Sequence, residues 1–135
     1  MSMNSDNVVV IARGNLTGTG GAQAAPGSGA TITILDTTDT GHPSWRDRTP
    51  FYRIIVNIYS SHDSGAAGVA FSSSFDRGTN FRTQSTQTYS NANGATSYDY
   101  LMKGCHLKVQ YTNSASVLTS WEMEVVGIYD RNPGQ

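Results

Sequence analysis

The chain has 135 residues, of which 14% are charged, and a formal net charge of −1. That length makes one domain, large enough to bury a single core without covalent staples. Nine Lys and Arg balanced by ten Asp and Glu supply no cationic stripe to displace counterions from phosphates, which argues against nucleic acid as a partner.

In chain order, Asn7–Ala12 opens with the β-branched run Val8-Val9-Val10-Ile11. It reads as a first strand or as an arm that adds to a neighbour's sheet. From Gly14 to Ala30 the composition turns to Gly, Ala, Thr and Ser, with Pro26. Such a segment buries too little to offset its backbone entropy, so a neighbouring copy or partner is expected to hold it. Residues 1–30 are therefore read as an extended N-terminal arm and 31–135 as the domain. The expected assembly contacts are Val8, Val9, Val10, Ile11 and Leu16, with the arm adding a strand across a subunit boundary.

Thr31–Leu35 is the next strand, Ile32 and Ile34 on one face. The loop from Asp36 to Pro50 carries Trp45, Arg46 and Asp47, either a plug over the open end of the core or a ligand loop. Phe51–Ser60 is apolar on nearly both faces, as a central strand would be. Ala67–Phe75 follows, then an Asp76–Asn80 turn, a polar strand at Thr83–Tyr89 suited to an edge, a turn at Asn91–Gly94, and Ser97–Met102. Two alternating arms end the chain. Leu107, Val109 and Tyr111 share a face in Cys105–Tyr111, and Trp121, Met123 and Val125 share one in Val117–Tyr129. The polar residues Asn113–Ser116 between them predict an antiparallel hairpin. Gly127 predicts a bulge or a close backbone approach. About eight short strands with no helical period predict an all-β, antiparallel two-sheet sandwich, jelly-roll-like, with a closed barrel as the alternative.

Chemistry-bearing patterns are few. One cysteine, Cys105, leaves no internal disulfide and no multi-cysteine metal site, and reads as a small apolar strand residue. His42, His62 and His106 have no ligand-spaced partners and read as solvent-facing, so no metal or cofactor is expected. No Gly-x-Ser-x-Gly elbow occurs. No run approaches the roughly 18 apolar residues of a membrane span, nor does a basic segment leading into an apolar core open the chain, so no membrane partner is expected. Asp39-Thr40-Gly41 with Val125-Val126-Gly127 resembles the motifs of retroviral-type aspartic proteases. Thr37-Thr38 before the aspartate and His42-Pro43 after the glycine depart from that family's context.

Phe71 to Phe81, Ser72-Ser73-Ser74-Phe75-Asp76-Arg77-Gly78-Thr79-Asn80 between them, followed by Leu107–Asn113 and the alternating last strand, resembles small β-sandwich proteins of tailed bacteriophage particles, the capsid decoration or cement type. The resemblance implies a non-enzymatic virion structural protein, made in the host cytoplasm and located in the virion. It would bind the major capsid protein or other virion subunits as a homo-oligomer, with a trimer expected. The same Ser-x-Asp-x-Gly-x-Asn-aromatic hairpin is similar to one in galactose-binding-like sandwich modules. That similarity implies a carbohydrate-binding alternative through Trp45, Arg46 and Asp47.

Overall fold

A computed structural model describes residues 7–39 and 49–129, without the side chain of Asp39. Nine strands follow in order: β1 (Val8–Asn15), β2 (Gln23–Ala24), β3 (Thr31–Asp36), β4 (Phe51–Ser60), β5 (Ser64–Ser74), β6 (Arg82–Gln87), β7 (Thr96–Leu101), β8 (His106–Asn113) and β9 (Trp121–Tyr129). Only short 3-10 turns accompany them among the described residues. One sheet has the order β2-β1-β9-β4-β7 and the other β3-β8-β5-β6.

The wiring has a simple logic. Setting the two-residue β2 aside, β1 pairs with β9, β3 with β8, β4 with β7 and β5 with β6, all antiparallel. These pairs are nested, so the chain is one long hairpin with its tip between β5 and β6. Rolling that hairpin brings β9 against β4 and β8 against β5, which gives the two facing sheets of a jelly roll. The apolar positions read from period-2 alternation fill the space between. Ile54, Val56 and Ile58 of β4 and Trp121, Met123 and Val125 of β9 face Val69 and Phe71 of β5 and Leu107, Val109 and Tyr111 of β8. Phe71 stacks on Tyr100 with ring centroids 4.8 Å apart, and Tyr111 meets Trp121 edge-on at 5.6 Å.

Several expectations change. The predicted C-terminal hairpin does not exist as a pair, because β8 and β9 lie in opposite sheets. The chain crosses between them over 114–120, where Leu118 is buried and Val117 is exposed. Asn113 anchors the crossing, its Nδ2 donating to Ser116 O at 2.8 Å and Gly27 O at 3.2 Å. Each strand finds two long-range neighbours instead of one local one, which buries both of its edges. In β3 a register shift after Thr33 puts both Ile34 and Leu35 in the core. His106 is fully buried, not solvent-facing; its Nδ1 shares a hydrogen bond with Thr37 Oγ1 at 2.9 Å. Cys105 immediately precedes β8 and is partly buried.

The N-terminal segment is not a free arm within the described residues. Val8–Asn15 is a strand of the chain's own sheet, and the Gly-rich stretch is tied down by the same chain. Asn15 Oδ1 accepts from the Gly18 and Thr19 amides at 2.7 and 3.1 Å, Gly29 N donates to Ser114 O at 2.7 Å, and Ser28 Oγ donates to Ala115 O at 2.6 Å. Local hydrogen bonds therefore supply the order that the composition assigns to a neighbour. Gly127 bears out the close-approach reading: a Cβ there would lie 2.6 Å from the Phe51 ring.

Candidate functional site

The outer face of the five-stranded sheet is where unspent chemistry collects. Register arranges its side chains in cross-strand rows. Val8, Ile128, Arg53 and Leu101 form one row across β1, β9, β4 and β7, and Val10, Val126, Ile55 and Asp99 the next. Six of these eight residues are aliphatic. Val8, Val10 and Leu101 are 47%, 45% and 60% exposed, while Ile55 and Ile128 are partly buried and Val126 is buried, so the apolar surface lying in water is concentrated on β1 and β7. Its two charges neutralise one another: Arg53 Nε donates to Asp99 Oδ1 at 2.8 Å and Nη2 bonds Oδ2, a bidentate ion pair. The pair holds the Asp99 carboxyl below its usual range and the Arg53 guanidinium above its own, the direct hydrogen bonds being the main cause.

Two residues further along β4, β7 and β9, and three along β1, where the register shifts between Val10 and Ala12, the face turns polar. Arg13, Glu124, Asn57 and Ser97 make the third row, and Asn15, Glu122 and Tyr59 the fourth. Apart from Ser97, these residues line an open groove of about 430 Å³. Asn57 Nδ2 donates to Glu124 Oε1 at 2.9 Å, and Arg13 Nη2 donates to Gly20 O at 3.0 Å, which ties the Arg13 side chain to the turn after β1.

The predicted contact residues divide by strand geometry. Val8 and Val10 point to the outer face, whereas Val9 and Ile11 pack against the core, and Leu16 lies in the turn that follows β1. Trp45, Arg46 and Asp47 lie outside the described residues, as do Thr40, Gly41 and the Asp39 side chain. Val125 is core, and Gly127 makes room for Phe51. Ile55, Ile128 and Leu101, which the predicted contacts do not include, are partly or well exposed on this face, and Val126 between them is buried. Their signal was the apolar character of β4 on both faces and the resumption of the last strand's alternation beyond Val125.

The hairpin that carries the family resemblance spends its polar groups on itself. Asp76 accepts from Asn80 N and Asn80 Nδ2, each at 2.9 Å, and from Ser74 Oγ at 2.8 Å. These bonds, Asn80's side chain first, hold the Asp76 carboxyl down at about 2. Ser74 Oγ also accepts from Gly78 N at 2.7 Å, and Gly78 takes a positive φ of 91°. Asp76 and Asn80 therefore shape the β5–β6 turn. Among the described residues no group of three His, Cys, Asp or Glu is placed to hold a metal ion, and no helix is long and apolar enough to cross a membrane.

No protein-family model, curated protein or solved structure matches the chain.

Proposed function

We propose that the protein is a non-catalytic structural subunit of an assembled particle, and specifically a decoration subunit that binds the shell of a tailed phage as a closed oligomer. The observation that carries the assembly half of this reading is the aliphatic outer face: Val8, Val10, Ile55, Leu101, Val126 and Ile128 around a neutralised Arg53–Asp99 pair. A subunit that never met a partner would gain nothing by exposing Val8, Val10 and Leu101 there. The phage half rests on the resemblance of Phe71–Tyr129.

The mechanism is additive burial. Fully covering a Val, Ile or Leu side chain contributes about 1.5–3 kcal/mol, and one such face competes with an association cost of about 4–15 kcal/mol. One face alone therefore binds weakly. A closed oligomer that presents several copies to a repeating shell gains by avidity, since each further contact is intramolecular. The test is light scattering coupled to size exclusion on the wild type and on Ile55→Lys, followed by co-sedimentation with empty shells. A closed oligomer that Ile55→Lys dissociates into monomers with unchanged far-ultraviolet circular dichroism is the expected result. A wild-type monomer that does not sediment with shells overturns the reading.

A further inference from the structure

We propose that the groove on the polar half of the same sheet face is a binding site for an uncharged saccharide. The inference stands apart from the assembly reading, because it uses rows three and four and none of the aliphatic residues of rows one and two.

The groove's volume of about 430 Å³ falls in the range of small-ligand sites, roughly 300–1,000 Å³. Its floor is flat sheet, and Tyr59 presents the exposed aromatic ring there, 41% accessible. Glu122 lies directly across from Tyr59 in the β4–β9 register. Neither the Tyr59 hydroxyl nor the Glu122 carboxylate makes a hydrogen bond among the described residues. Glu124 uses one oxygen for Asn57 and keeps the other. Beside these acceptors stand the remaining N–H groups of Arg13, whose Nη2 alone is engaged by Gly20 O.

The charge pattern narrows the ligand class. Two carboxylates against one guanidinium disfavour an anionic ligand, and the groove offers hydrogen-bonding groups of both signs. A polyhydroxylated neutral ligand uses both signs, its hydroxyls donating to the carboxylates and accepting from the guanidinium. A sugar ring also carries an apolar C–H face that buries against an aromatic side chain such as Tyr59. Asn57 and Asn15 are already hydrogen-bonded within the protein, Asn57 to Glu124 and Asn15 to the 18–19 amides. The groove is therefore held in shape before a ligand arrives, which lowers the ordering cost of binding.

The experiment is an immobilised glycan array carrying neutral, sialylated and sulfated oligosaccharides, probed with the full chain. Affinities for any bound glycan are then measured by titration calorimetry for Tyr59→Ala, Glu122→Gln and Trp45→Ala. Binding to neutral glycans, weakened about tenfold or more by Tyr59→Ala, weakened also by Glu122→Gln and unchanged by Trp45→Ala, is the expected result. Both groove substitutions are at exposed positions, and an unchanged melting temperature verifies that the variants are folded. Three results overturn the proposal: no glycan bound by the wild type, only charged glycans bound, or binding that survives Tyr59→Ala. Loss on Trp45→Ala with Tyr59→Ala intact would move the site to the loop at 45–47 and overturn it equally.

Discussion

The two faces of the β1-β9-β4-β7 sheet are made by the same strands, residue by alternate residue, yet they are held to different standards. On the inner face Ile54, Val56 and Val125 are fully buried against the opposite sheet as part of one apolar core. On the outer face, one position along, Val126 is still buried, but Ile55 is only partly so and Val8 and Val10 are exposed. Apolar character on the inner face is explained by folding. On the outer face it is not, and that difference is what makes the outer face a candidate for function.

The comparison is broken most sharply by Trp121→Ala, which empties the inner face at a fully buried ring and is expected to cost about 3–5 kcal/mol in chemical denaturation. Next comes Gly127→Val. A Cβ already lies 2.6 Å from the Phe51 ring, so overpacking is expected to cost about 1–3 kcal/mol; a neutral result would mean that Phe51 swings aside. Asn113→Ala removes the donor that holds Gly27 and Ser116. It is expected to cost about 1–3 kcal/mol and to loosen the Gly-rich segment, visible as faster amide exchange at Gly29. On the outer face Val10→Lys should change stability by no more than about 0.5 kcal/mol while weakening self-association or shell binding; an equally large loss of stability would place Val10 in the core's account.

The smallest effect is on pH. Asp76 is depressed from 3.8 to about 2 in the folded chain, so its contribution to stability is complete above the unfolded value. That contribution is lost as pH falls through the folded one, between about 4 and 2. Asn80→Ala should raise the Asp76 midpoint toward 3.8 in an NMR titration and flatten that acid limb; an unmoved midpoint would show that Ser74 and the backbone suffice.

Much of this was legible locally. The strand at Phe51–Ser60 matched β4 residue for residue, and the polar strand near 83–89 is β6, an edge strand. Tyr89, just beyond it, is core instead, its hydroxyl donating to Gly94 O at 2.7 Å. His106 was misread because the alternation that places Lys108 and Gln110 on the outer face also places His106 there. Burial of its ring depends on Thr37, 69 positions away.

Alternation, turn residues and glycine placement are properties of a few consecutive residues, so the sequence alone determined that this chain is all-β, where most of its strands run and which side chains form the core. Partner choice is not local. Whether β8 pairs with β9 or each pairs with two distant strands depends on how much edge and face the whole chain can bury at once. Only the tertiary structure decided the rolled, nested pairing, and with it the rows that gather Val8, Ile55, Val126 and Leu101 from four strands and place Tyr59 opposite Glu122.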